Sequence, residues 1–210
     1  MQTNHSSNLI ILAGGKSERM GTPKGLLTYK DSYWVLEQIK RFSVVDDATV
    51  FIGLGYDYQY YFKAIPWFKK AIDEVQIYSD VKVRVVINKQ PENGLFSTLQ
   101  TVLTEIEPSK SVLVLPIDVP LLKAKELHKI LEVQNKIIIL KYNGKNGHPV
   151  KLQPTFWTTL LRLPITDSTA RLDVQIRISS EENCTYVDVN DAQILHNLNT
   201  VKEWNDFLKA

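Results

Sequence analysis

With a single cysteine, Cys184, among its 210 residues, the chain has no internal disulfide to form. Its four histidines, His5, His128, His148 and His196, are too scattered to suggest a zinc site. Both absences fit a reducing cytoplasm. No apolar run approaches the roughly 18 residues that span a bilayer, so no membrane helix is expected. The opening MQTNHSSNLIILAGG lacks the basic start and long apolar centre of a signal peptide, and the protein is expected to stay in the cytoplasm where it is made. Charge of one sign is lacking as well: 25 Lys and Arg face 23 Asp and Glu, for a formal net charge of +2. No basic run recurs along a face, which argues against nucleic acid as a partner. Internal repeats, low-complexity tracts and linkers are also missing. What is present, 44% hydrophobic and 23% charged residues, is the composition of a soluble globular protein long enough to bury a core. One domain over 1–210 is the expectation.

Short β-rich runs alternate with helical periods along the chain. The runs are NLIILA (8–13), ATVFIG (48–53), VRVVIN (83–88), SVLVLP (111–116), KIIILKY (136–142) and CTYVDV (184–189). Strands this apolar are those covered on both faces, as in a parallel sheet. Between them Leu99, Val102, Leu103 and Ile106 fall at i, i+3, i+4 and i+7, and Ala124, Leu127, Ile130 and Leu131 repeat the pattern. Thr200 and Glu203 are spaced as a capping box that opens a last helix. Such alternation predicts a three-layer, doubly wound α/β fold with a mostly parallel sheet. The least patterned stretch, 143–183, is a candidate for a smaller substrate-side lobe within that domain. In sheets of this kind ligands sit beyond the carboxyl ends of the strands.

The stretch LAGGKSERMGTPKGLL, Leu12 to Leu27, lies at such an end. It is not a Walker A loop, because the glycine required five residues before Gly15 is replaced by Ile10. It is not the dinucleotide fingerprint either, since Gly14 and Gly15 are adjacent and the next glycine is Gly21. Taken singly, its residues describe a glycine turn with a solvated basic loop. Together, exposed backbone N–H groups with Lys16, Ser17, Arg19 and Lys24 would bind phosphate oxygens. Asp118 follows another apolar strand, so its carboxylate should emerge at the same edge, where one carboxylate suffices to anchor a phosphate-bridging Mg²⁺. Gly94 and Ser97 open a helix whose N-terminus suits an anion, and Asn197 and Asn199 stand just before the last helix.

Read whole, this stretch resembles the signature L-A-[GA]-G-x-S-x-R-M-G-x-[PD]-K of the molybdenum cofactor guanylyltransferase and cytidylyltransferase family, with every fixed position met. The resemblance continues at NKQPENGLFS (88–97), LPIDVPLL (115–122), GKNGHPV (144–150) and NLNT (197–200), and so spans almost the entire chain. It implies a Rossmann-like fold of the nucleotide-diphospho-sugar transferase type and a Mg²⁺-dependent nucleotidyltransferase. That enzyme would move a nucleoside monophosphate from GTP or CTP to a phosphorylated acceptor such as molybdopterin, releasing pyrophosphate. It further implies that Leu12, Ala13, Gly14, Gly15, Ser17, Asn88, Gly94 and Ser97 bind the nucleotide. Arg19 and Lys24 would stabilise the phosphates and Asp118 would hold the metal, with His148, Asn197 and Asn199 on the acceptor side. The two glycines of LAGG resemble the guanylyl branch, whereas Pro23-Lys24 and GHPV resemble the cytidylyl branch. Transfer to a sugar phosphate, or nucleotide binding without catalysis, are the competing readings; Arg19, Lys24 and Asp118 together argue against binding alone. The aromatic tract YDYQYYFKAIPWFKK (56–70) reads as core or interface rather than as a stacking surface for a pterin.

Overall fold

A computed structural model describes residues 7–209, so His5 lies outside the described residues. Along the chain come β1 (Ser7–Ala13), a hairpin of β2 (Thr28–Tyr29) and β3 (Ser32–Tyr33), and α1 (Trp34–Arg41). Next are β4 (Thr49–Leu54), α2 (Tyr58–Ala64), α3 (Trp67–Lys70), β5 (Gln76–Tyr78), β6 (Val81–Ile87), α4 (Gly94–Leu103) and β7 (Ser111–Pro116). The remainder is α5 (Ala124–Glu132), β8 (Ile137–Tyr142), β9 (Lys145–Leu152), α6 (Pro154–Leu160), α7 (Leu172–Ile178), β10 (Cys184–Asp188) and α8 (Val201–Lys209). Eight strands form one sheet in the order β10-β8-β9-β7-β1-β4-β6-β5. β1 pairs in parallel with both β4 and β7, while β5 and β9 run against the other six.

All seven residues of β1 are buried because helices cover both faces of the sheet. Its side chains alternate between two cores, as the period of two requires. Leu9, Ile11 and Ala13 pack with Trp34, Tyr61, Ile130 and Trp204 from α1, α2, α5 and α8. Ile10 and Leu12 pack on the other face with Leu99, Val102 and Trp157 from α4 and α6. The tract 56–70 serves largely this packing: Tyr61 and Phe68 are buried and stack with ring centroids 6.4 Å apart. Among the described residues no helix is long and apolar enough to cross a membrane.

Strand order sets the position of the cleft. From β1 the chain moves outward through β4 to β6, then returns through α4 to place β7 on the opposite side of β1. The connections leaving β1 and β7 therefore part in opposite directions, and a crevice opens beyond their carboxyl ends.

The unpatterned stretch 143–183 contributes a strand to the middle of this sheet. β9 pairs with β7 and β8, and α6 and α7 follow it onto the α4 face. The strand escaped sequence reading because KNGHPVKL carries Gly147, Pro149 and Lys151, residues that count against a central strand. Each is accommodated locally. Pro149, which has no N–H to donate, lies where the β8 register shifts between Ile138 and Leu140, so no ladder bond is forfeited. Lys151 is 2% exposed and sends its Nζ to the carbonyl oxygens of Leu131 at 2.6 Å and Val133 at 2.9 Å, capping the carboxyl end of α5.

Burial pushes the Lys151 ammonium down to about 8 from its ordinary 10.5. The unfolded chain therefore takes up this proton as pH falls through 10.5, while the folded chain resists until about 8. Stability falls across that window and levels below it. We expect the wild type to gain up to about 3 kcal/mol over Lys151→Met between pH 8 and 10.5, read as the difference in urea-unfolding free energy; parallel pH profiles would refute the assignment.

Candidate active site

The turn leaving β1 gives its two glycines different tasks. Gly14 is buried; its carbonyl accepts the N–H of Tyr56 at 3.1 Å, and a Cβ there would lie 2.9 Å from Thr98 Oγ1 and 3.2 Å from the Gly55 nitrogen. Only a residue without a side chain fits between α4 and the turn after β4. Gly15 is exposed, and a Cβ there would meet nothing within 4 Å. Farther on, Ser17 adopts a left-handed backbone with φ 53°, and its Oγ accepts the N–H of Lys24 at 3.2 Å. The loop thus closes on itself. Its far side is pinned by Tyr61, whose buried hydroxyl accepts the Gly25 N–H at 3.2 Å. Burial raises the Tyr61 phenol well above its ordinary value, so it stays a neutral hydroxyl.

Lys24 is the meeting point of three segments. Its Nζ donates to Asp118 Oδ2 at 2.9 Å, just past β7, and to Asn199 Oδ1 at 2.5 Å, just before α8. The two charged side chains are only 15% and 20% exposed, so the pair is shielded enough for its attraction to matter. Asn199 is held by the capping box expected from Thr200 and Glu203. Thr200 Oγ1 accepts the Glu203 N–H at 3.2 Å, and Glu203 Oε2 accepts from both the Thr200 hydroxyl and the Asn199 N–H at 2.9 Å.

A cavity of 450 Å³ opens over this junction, lined by Leu12, Ala13, Gly15, Ser17, Arg19, Lys24, Asp118 and Asn199. Leu12, Leu95 and Pro116 also belong to the wall of a neighbouring chamber of 840 Å³. That chamber holds Gly94 and His148 against apolar walls such as Leu99, Val114, Ile139 and Ile176. Arg171 and Arg177 stand on its wall, each paired with Asp173, at 3.0 and 3.4 Å. Burial holds the His148 imidazole below its ordinary value despite the opposing pull of Asp118, so it is neutral at pH 7.

Four residues expected at the ligand line neither chamber. Gly14 is consumed by packing. Asn88, 4% exposed, donates to Ser97 Oγ at 2.8 Å and Thr98 Oγ1 at 3.0 Å and accepts the Gln90 N–H at 2.9 Å. Ser97 in turn donates to the Gly94 carbonyl at 2.8 Å. Together they tie the start of α4 to the end of β6 and leave no free polar group to offer. Asn197 is exposed and bonds the Leu195 carbonyl at 3.4 Å. Conversely, no sequence signal pointed to Arg171 or Arg177, which sit in a stretch without a spacing pattern.

The contrast between the glycines is directly testable. Gly14→Ala should destabilise the protein by about 1–3 kcal/mol, because Thr98 and the Gly55 backbone must give way. Gly15→Ala should stay within about 0.5 kcal/mol of wild type. Chemical denaturation measures both, and equal midpoints would disprove the division of labour.

Residues 9–177 match the family model described as MobA-like NTP transferase domain. The molybdenum cofactor guanylyltransferase of Campylobacter jejuni subsp. jejuni serotype O:6 is 28% identical over 211 residues, covering 99% of this chain and 97% of its own. Rv0371c from Mycobacterium tuberculosis H37Rv, a solved structure, matches with a TM-score of 0.72 at 21% identity, over 99% of this chain and 100% of that one. Its complex with manganese matches at 0.67 and 19% identity, over 98% and 99%. Since the family match runs from β1 into α7 and takes in the Gly15 turn, Lys24, Asp118 and His148, the chain belongs to the MobA-like NTP transferase domain family.

Proposed function

We propose that this cleft moves a nucleoside monophosphate from a nucleoside triphosphate to a phosphorylated acceptor and releases pyrophosphate. The observation that carries the reading is the convergence of Lys24, Asp118 and Asn199 beside the Gly15 turn, at the crevice between β1 and β7. GTP is the proposed donor and molybdopterin the proposed acceptor, because the Campylobacter jejuni relative is named a molybdenum cofactor guanylyltransferase. CTP is the alternative donor, favoured by Pro23-Lys24 and the GHPV sequence. The apolar walls of the larger chamber suit a flat acceptor better than a hydroxyl-rich sugar phosphate.

The donor set fits a divalent cation such as Mg²⁺. Asp118 offers a carboxylate oxygen and Asn199 an amide oxygen in a cavity with room for phosphate and water ligands, the usual way of holding this ion. Among the described residues no group of three His, Cys, Asp or Glu is poised to hold a metal, so Asp118 would be its main protein anchor. The manganese complex of Rv0371c is in keeping with this. When bound, the cation polarises the α-phosphoryl group.

The chain's own groups supply position and charge. Leu12, Ala13 and Gly15 would seat the base and sugar, and Arg19 and Lys24 would neutralise the triphosphate. An acceptor phosphate oxygen, presented from the larger chamber, attacks the α-phosphorus. A new P–O bond forms as the bond to the bridging oxygen breaks, and pyrophosphate leaves with the electron pair. Lys24 and Arg19 then stabilise the charge on the departing group. His148, being neutral, would hydrogen-bond the acceptor, and the amino end of α4 at Gly94 would face its phosphate. No nucleophilic side chain is needed.

Pyrophosphate release should therefore require both a triphosphate and the acceptor, with GTP preferred over CTP. If Lys24 neutralises charge that grows in the transition state, Lys24→Ala should lower kcat on the order of a hundredfold or more while calorimetric triphosphate affinity weakens far less. Asp118→Ala should abolish divalent-ion-dependent turnover and leave the circular dichroism spectrum unchanged. A Lys24→Ala variant with wild-type kcat and only a raised KM would make Lys24 a binding residue and overturn its catalytic role.

A further inference from the structure

The segment Ile117–Leu122 that carries Asp118 is neither helix nor strand, yet most of it is buried: Val119, Leu121 and Leu122 are at most 1% exposed. Buried backbone outside regular structure must find partners for its N–H and C=O groups. The Ile117 and Val119 N–H groups bond the Leu12 and Pro116 carbonyls, each at 3.1 Å, and the side-chain partners come from one stripe of α1. Trp34 Nε1 donates to the Ile117 carbonyl at 2.7 Å. Gln38 Nε2 donates to the Val119 carbonyl at 2.7 Å, while its Oε1 accepts the Leu121 N–H at 2.9 Å. Arg41 Nη1 reaches the Leu121 carbonyl at 3.3 Å. These three residues lie at i, i+4 and i+7, on the same helix face. From the opposite side the Leu198 N–H donates to the Asp118 carbonyl at 2.8 Å.

Gln38 is out of place by composition alone. It is 0% exposed, on a helix face whose neighbours Val35 and Ile39 are apolar core. A buried amide is tolerated only when its groups are paired, and both ends of this one are spent on the backbone just after Asp118, at Val119 and Leu121, while Trp34 holds Ile117 just before it. We infer that Gln38 is a positioning residue for the transfer reaction: supported by Trp34, it holds the Asp118 backbone so that the carboxylate faces the cleft. The inference rests on the proposed role of Asp118 as metal anchor. Gln38 touches neither substrate nor metal, and it acts by denying the strap other conformations. Partners one step removed from a metal ligand typically change metal affinity or activity about 10- to 100-fold when lost. Gln38 bonds the strap and not the loop bearing Gly15, and Lys24 meets the strap through the Asp118 side chain, so triphosphate binding should change less than metal affinity.

Gln38→Leu keeps the volume and removes both bonds. In the full chain we expect Mn²⁺ affinity, read by electron paramagnetic resonance with a non-hydrolysable triphosphate, to fall about tenfold or more. We expect kcat to fall by a similar factor, with KM for the triphosphate within about threefold of wild type, and amide hydrogen exchange over 117–122 to accelerate. Trp34→Phe, which keeps an aromatic ring but loses the bond to Ile117 and part of the packing against Tyr29, Trp204 and Phe207, should show the same pattern more weakly and serves if Gln38→Leu does not fold. A folded variant with exchange, Mn²⁺ affinity and kcat all within about twofold of wild type would overturn the inference. So would kcat and KM losses without faster exchange in the strap. The exchange measurement needs neither metal nor turnover, so it decides Gln38 even if wild-type protein binds no Mn²⁺ or releases no pyrophosphate, results that would instead defeat the proposed function.

Discussion

A half-buried ammonium must have partners, and the partners of Lys24 hold the active end of this protein together. Asp118 and Asn199 lie 94 and 175 residues away in sequence, yet both bond the same nitrogen. The loop after β1, the strap after β7 and the segment before α8 are thereby fixed to one point. Removing any one member would leave a poorly solvated charge or an open chain end, which costs more than the bond itself contributes. Because the junction sits at the crevice where the sheet changes direction, the residues that close the fold there are also those best placed to meet a triphosphate.

Around the junction, segments without regular structure are held by polar side chains that would look misplaced in a core. Tyr61 takes the Gly25 N–H, Gln38 spans the Asp118 strap and Asn88 ties β6 to α4. Lys151 does the same at the carboxyl end of α5. In each case a buried backbone group or helix end has no water to bond, so a side chain must supply what a strand or helix neighbour would otherwise give. The core of this protein is therefore selected for hydrogen-bond placement as well as for volume.

The two chambers differ in the charged groups that line them. The smaller is lined by Lys16, Arg19, Lys24, Glu18 and Asp118, while the larger sets His148, Glu181 and two arginines paired to Asp173 beside an apolar floor. Leu12, Leu95 and Pro116 form the wall they share. Burial disfavours the charged form of His148, so the larger chamber presents a neutral imidazole.

Periodicity in the chain was enough to determine β1, β4, β6, β7, β8 and β10, the helices α4, α5 and α8, and the mostly parallel, doubly wound sheet, because these elements bury regular apolar faces. That the Gly15 turn, Lys24 and Asp118 would meet at one crevice was equally legible, since they lie in the segments that leave the carboxyl ends of β1 and β7. The capping box at Thr200 and Glu203 was readable from spacing alone and is present as read. Tertiary structure decided the rest. It placed β9 inside the sheet despite Pro149 and Lys151, because a register shift and a nearby helix end absorbed them. It assigned Gly14, Asn88 and Ser97 to packing and internal bonds, and it gave Gln38 and Tyr61 a task that no spacing rule marks. Local pattern records which faces of a chain avoid water; which buried amide or hydroxyl meets which distant backbone group depends on contacts between segments that are neighbours only after the chain has folded.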